Sequence, residues 1–403
     1  MVENLAGLFA EDPADVAPSP RFRGGQQAAD RALASYDVAG YAGSRNEAYP
    51  TARRGASGLS PYIRHGLLTL PEVWDAVADG PADDVKRFHD ELLWQEYARH
   101  WYARLGRATV EPQRHRIPSM AAGGQPPWDE DMACLELTVG ELEDDGWLVN
   151  QTRMWLASHW TVRQGRSWNE GEDYFFRHLL DGSRAANRLG WQWVTGVGSN
   201  RAYGFSRWQV ERRAPGLCAS CELASACPID RWPDDPDLDP VPPNPLLAAD
   251  PDPEATAGPR TVERSGHGRP EAVWLTAESL GLSDPALAAH PDLPAVFVFD
   301  RPLLARLGLS AKRLIFLVET LAEIGQEREL EIDLGDPVET LAGRPLAATF
   351  APVPGWREKA ARLEVVERHP WPWLRRPGPG PISSNGAWRR AVDRGRDRGP
   401  RRS

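Results

Sequence analysis

The chain has 403 residues, 41% of them hydrophobic, and a net charge of −10. That length predicts two or three domains with sizeable cores. The absence of any apolar run near the ~18 residues of a membrane span excludes a transmembrane helix, and the acidic balance excludes nucleic-acid affinity without a local basic patch.

Residues 1–20 contain Pro and Asp and read as loose, with no basic start or apolar stretch of a signal peptide, so the chain reads as cytoplasmic. A helical period runs from Arg21 to Tyr41. In RRGASGLSPYIRHGLLTLPEVW, the residues Gly55, Ala56, Ser57, Gly58 and Ser60 cluster ahead of an apolar helix. Short side chains let backbone N–H groups approach a phosphate; the same cluster also serves as an ordinary loop. Residues 85–105 read as a helix with Glu91 and Trp94 on one face. The pair is either a core indole beside a solvated carboxylate or two groups set against a flat ligand. Residues 107–133 look irregular.

From Trp147 to Trp193 six tryptophans share a stretch with Asn150, Arg153, Asp181 and Asn187. These polar groups either satisfy one another in a core or surround a large flat ligand. GELEDDGWLVNQTRMWLASHWTVR reads as one helix, with Asn150 and Met154 on one face and Arg153 one step round. GEDYFFRHLLDGSRAANRLGWQW reads as a helix, an Asp-Gly break and another helix. Asp181 and Ser183 fall at the break, where a side chain caps the next helix or reaches a ligand.

Cys218, Cys221 and Cys227 form C-x-x-C and a later Cys-Pro, and Cys134 is the remaining cysteine. One tetrahedral set of four thiolates suits an iron–sulfur cluster or zinc; free thiols are the alternative. Residues 231–260 hold nine prolines and a run of aspartates, which predicts an extended linker. Beyond it AVWLTA, AVFVFD, ELEIDL and LAATFAP read as strands alternating with helices such as RLIFLVETLAEIGQE, a small parallel α/β domain. The end, RRAVDRGRDRGPRRS, carries seven arginines against two aspartates and reads as a disordered basic tail, either touching DNA phosphates or solubilising the chain.

Four motifs give the chain a family resemblance over about residues 40–210. GASGLSPYIRHGLLTLPEVW, ELLWQEYARH, GWLVNQTRMWLASHW and LLDGSRAANRLGWQW together resemble the DNA photolyase/cryptochrome family. VWLTAESLGLSDPAL and VFVFDRPLL resemble that family's antenna domain, which there comes first; its position here implies a circular permutation. The cysteines, with DMACL around Cys134, resemble a bacterial branch with a 4Fe-4S cluster, although Val149-Asn150 stands where that branch commonly has paired histidines. The implied organisation is a mostly α, FAD-binding helical domain (1–215), a cysteine motif and linker (216–265), an α/β Rossmann-like domain with a parallel sheet (266–375) and a basic tail (376–403).

The resemblance implies a role for each matching residue. Tyr41, Ala56, Ser57, Gly58, Leu59, Ser60, Gln95, Arg153, Asp181, Gly182, Ser183 and Asn187 would hold FAD, with Asn187 beside the flavin's redox nitrogen. Glu91, Trp94, Asn150 and Met154 would hold a flipped pyrimidine dimer, for which an indole to stack on and a carboxylic acid are chemically suited. Trp168 and Trp191 would carry electrons, with Trp101 or Trp128 outermost. Ala56, Ser183, Gln95 and Gln151 depart from the family's usual residues. The expected function is light-driven repair of dimers in damaged DNA by a monomer, cyclobutane dimers ahead of (6-4) products. A cryptochrome-like photoreceptor without repair activity is the alternative, and a flavin protein with only structural metal a third. The resemblance leaves the antenna pigment open.

Overall fold

A computed structural model describes residues 16–128, 131–265 and 268–396. The first half is helical: α1 (Gln26–Ser35), α2 (Ser60–Arg64), α3 (Ala82–Leu105), α4 (Ala133–Gly140), α5 (Asn150–Ser158), α6 (Trp168–His178), α7 (Arg184–Thr195) and α8 (Arg207–Arg213) carry most of it. The predicted long helix over 85–105 is α3. The Asp-Gly break also appears as read, between α6 and α7. The stretch read as one helix over 140–163 is not one. A π-helical turn at Glu141–Asp145 ends at Gly146, whose φ of +70° suits glycine and not a residue with a Cβ. The chain then runs extended at Val149 before α5 begins, and a second π turn follows at His159–Arg163. The helical period of Arg21–Tyr41 is realised only over α1.

The second half is an α/β unit. Two residues at His115–Arg116 (β1) pair with Asp239–Pro240 (β2) outside it. The main sheet has six strands, β3 (Glu263–Arg264), β4 (Ala272–Leu275), β5 (Ala295–Asp300), β6 (Leu330–Gly335), β7 (Leu346–Thr349) and β8 (Val365–His369), in the order β3-β8-β7-β4-β5-β6. All neighbours are parallel except the edge strand β3. Taken from β4, the parallel strands lie in the order 3-2-1-4-5, a doubly wound arrangement that reverses direction between β4 and β7. Two helices of this unit matter below, α9 (Pro285–Ala289) and α10 (Ala311–Glu327).

Alternation along the central strands decides where the sheet packs. Val273, Leu275, Phe297 and Ala347 join a core that continues into the helical half through Phe22, Tyr62 and Leu180. Their neighbours Ala272, Trp274, Val296 and Ala348 face the other way, onto Phe350, Trp356 and Trp371. One face of the sheet therefore shares its hydrophobic core with the helices. Polar locks reinforce it. His65 places Nδ1 2.7 Å from the Ala277 carbonyl and Nε2 3.1 Å from that of Leu180. Arg313 of α10 donates to the carbonyls of Phe176 (2.8 Å) and Gly182 (2.7 Å).

The Pro-rich stretch and the C-terminal end differ from their sequence reading. Leu247, Ile382 and Trp388 are buried against Tyr97, Trp101 and Leu105 of α3. Arg104 pairs with Asp250 at 3.1 Å and donates to the carbonyls of Leu246, Gly378 and Gly380. The proline-rich segment is thus strapped to the helical half, because proline removes N–H groups without preventing carbonyls from accepting. The end reads as a disordered tail from its charge, yet Asn385–Arg396 forms a helix, α11, with Trp388 Nε1 donating to His100 Nδ1 at 2.8 Å. Residues 397–403 lie outside the described residues, as do 1–15.

Candidate functional sites

The small-residue loop is tied to the start of α5. Ser57 Oγ accepts from the Leu59 amide at 3.3 Å, Gly58 takes a φ of +69°, and Leu59 is fully buried. Ser60 Oγ accepts from Trp147 Nε1 at 2.9 Å. Arg21 lies over the Trp147 ring at 4.4 Å, so it brings a guanidinium to the same indole that holds the loop. Sequence reasoning missed Arg21, whose only signal is a basic residue at the start of the first helical period. Tyr41 is buried edge-on to Phe88, and Ala56 is half-buried against the main core.

Arg153 reaches the Asp-Gly break. Its Nη2 donates to Asp181 Oδ2 at 2.6 Å and its Nε to the Leu148 carbonyl. The second oxygen of Asp181 is buried and has no hydrogen-bond partner. The carbonyl of Gly182 accepts from both Arg64 and Arg313. Ser183 takes the N-cap position of α7, yet its side chain makes no capping bond. One turn on, Asn187 is 6% exposed and its Nδ2 has no partner. A buried amide and a buried carboxylate oxygen left unpaired each cost about 1–3 kcal/mol unless a ligand satisfies them. These are the atoms that fit a polar cofactor edge.

The residues assigned to a DNA lesion lie apart in burial. Trp94 is 43% exposed and meets Tyr97 edge-on. Glu91 is half-buried with Arg45 at 3.4 Å. Asn150 is exposed, and Met154 is half-buried. Gln95 is also half-buried. Gln151, which stands where a basic residue is usual, points inward and donates to Tyr203 Oη at 2.9 Å.

Among the tryptophans, Trp191 and Trp168 are both buried. Gly171 lies against the Trp191 indole so closely that a Cβ there would come within 2.2 Å of the ring. Trp160 is 6.3 Å from Trp191 and 5.4 Å from Trp128, centre to centre. The sequence reading did not single out Trp160, although it belongs to the same tryptophan-rich stretch. Trp101 instead packs in the cluster that holds the C-terminal helix.

All four cysteines line one small cavity, whose other walls include Val210, Leu217, Leu223 and Ile229. Cys134 is buried at the start of α4, and burial, with the other three sulfurs beside it, pushes its thiol up to about 12. Arg207 lines the cavity and Arg163 feels Cys227, so two guanidinium groups offset thiolate charge there.

Residues 88–213 match the family model described as the FAD binding domain of DNA photolyase. The chain is 29% identical over 219 residues to a deoxyribodipyrimidine photo-lyase of Synechococcus sp., covering 48% of this chain and 40% of that protein. Against the deoxyribodipyrimidine photo-lyase of Escherichia coli it is 33% identical over 171 residues, covering 38% and 34%. The chain therefore spans well under two thirds of the length of these relatives. Among solved structures, a bacterial class III photolyase from Agrobacterium tumefaciens is similar with a TM-score of 0.40 at 21% identity, covering 47% of this chain and 42% of that one. A Synechocystis cryptochrome gives 0.42 at 20%, covering 51% and 46%.

Proposed function

Through residues 88–213 this chain belongs to the DNA photolyase family, and from that premise we propose that it binds FAD beside Asp181 and Asn187 and uses blue light to split cyclobutane pyrimidine dimers in DNA. The observation that carries the reading is the buried Asn187 amide, unpartnered, one turn beyond the Arg153–Asp181 pair. Bound in reduced form, FAD supplies the light-driven electron. Asn187 offers an N–H donor to the flavin edge, while Arg153 orients Asp181 toward it. The loop Ala56–Ser60, with Arg21 near by, suits the diphosphate. Trp94 presents an exposed ring on which a flipped base stacks, an interaction of about 1–3 kcal/mol per base. Glu91 on the same helix face supplies a carboxyl group beside it. Asn150 and Met154 would close the other wall. The indoles Trp191, Trp160 and Trp128, each within 6.3 Å of the next, suit electron hopping, and Trp168 is a further buried candidate. The position of the α/β unit after the helices supports a permuted order.

Purified chain with reduced FAD, dimer-containing duplex and blue light is expected to restore intact thymines, and Trp94→Ala to lower dimer affinity about tenfold. Dimer binding without light-driven repair would favour a photoreceptor; no repair and no dimer preference would sink the reading.

The four cysteines are assigned to a 4Fe-4S cluster. All four cysteines line one cavity, and four thiolates around one site suit a 4Fe-4S cluster, with zinc the alternative. Anaerobically purified chain is expected to contain about four irons per molecule with broad brown absorbance. Cys221→Ser should lose both. One zinc and no iron would contradict the assignment.

A further inference from the structure

At the edge of the sheet, far along the chain from the cysteines, three side chains converge that the repair chemistry does not use. Glu367 and His369 are two apart on β8 and so project from one face of the strand. His290 follows α9. Glu367 Oε2 is 2.9 Å from His290 Nε2 and 3.5 Å from His369 Nε2. All three donor atoms lie within 4.8 Å of one another, and this is the group with that property among the described residues. His369 is 2% exposed, and its Nε2 makes no hydrogen bond.

We propose that His290, Glu367 and His369 form a zinc site with its fourth position open to water. A tetrahedral zinc with nitrogen and oxygen ligands sets its donors about 3.4 Å apart, and the Glu367 separations from the two imidazoles, 2.9 and 3.5 Å, bracket that value. The buried Nε2 of His369, which makes no hydrogen bond, gains an electron-pair acceptor in the metal. His290 is the more exposed of the two imidazoles, which places the open position on its side.

The surroundings hold this geometry. Asp284 caps α9 through the amides of Ala286 and Leu287 and accepts from Thr349 on β7 at 2.8 Å. Arg328 donates to the His290 carbonyl at 2.7 Å. The β3–β8 register sets Arg264 opposite Glu367, and Arg264 Nε donates to Oε1 at 3.1 Å. One carboxylate oxygen is thereby occupied, and the other faces the histidines, the arrangement in which an outer partner orients a metal ligand. Arg264 also brings a positive charge that a dication must overcome; its guanidinium is largely exposed and screened.

The test compares full-length wild type with His290→Gln and His369→Asn after chelation, all four cysteines intact throughout. With Zn²⁺ titrated against a chromophoric chelator, wild type is expected to bind one equivalent more than either variant, and zinc should raise the Tm of wild type only. His290→Gln decides the matter if the buried His369 variant does not fold. Equal zinc stoichiometry and equal Tm response in wild type and His290→Gln would overturn the proposal.

Discussion

Asp181→Ala is expected to lower FAD affinity about a hundredfold. The carboxylate is 5% exposed and accepts from Arg153 at 2.6 Å, while its other oxygen is buried without a hydrogen-bond partner. Removing one partner of a buried ion pair costs about 3–5 kcal/mol because the remaining charge is left desolvated. Arg153 keeps 22% of its side-chain exposure and a second contact to the Leu148 carbonyl, so the lower part of that range applies, and about 1.4 kcal/mol is a factor of ten in affinity. Asp181→Asn retains the shape and one acceptor and should recover part of the loss. FAD content after gel filtration, followed by titration of the apo chain, measures both. Affinities within twofold of wild type would place the cofactor elsewhere.

Arg313→Ala is expected to destabilise the fold by about 3–5 kcal/mol. The guanidinium is 2% exposed, donates to the carbonyls of Phe176 and Gly182, and lies 4.5 Å from the centre of the Phe176 ring. Its removal takes the donor from the Phe176 carbonyl, leaves the Gly182 carbonyl with Arg64 alone, and opens a void where α10 meets the break before α7. Arg313→Lys should rescue only a fraction, since a point ammonium cannot span two acceptors as a planar fork does. Urea midpoints for the three proteins measure the difference. An unchanged midpoint for Arg313→Ala would show that this guanidinium does not help to hold the α/β unit.

The sequence made some of this legible and hid the rest for identifiable reasons. Strands β4, β5 and β7 are nearly pure apolar runs, as expected for strands buried on both faces, and they stand out, while β6 at the sheet's end alternates apolar and acidic residues. Strand β8 does not stand out, because Glu367 and His369 occupy inward positions and break the pattern. The residues that conceal the strand are the ones proposed to bind metal. The long α3 announces itself by length and period. The single helix read over 140–163 fails because the π turns and the left-handed Gly146 leave the helical spacing of the tryptophans almost unchanged. The linker and tail were misread from composition: proline and arginine content reports on backbone stiffness and charge, and says nothing of a Leu247 or a Trp388 finding a socket on α3. In the candidate site, residue types and order were legible. The tie from Ser60 to Trp147, and through it to Arg21, was not, since it joins residues up to 126 positions apart.

His65 meets the Ala277 carbonyl, and Arg313 the carbonyls of Phe176 and Gly182, across the two halves, and none of these residues lies in the proline-rich connection. Whether the sheet is synthesised before the helices or after them leaves those contacts the same. The docked pair is then indifferent to the route its covalent thread takes.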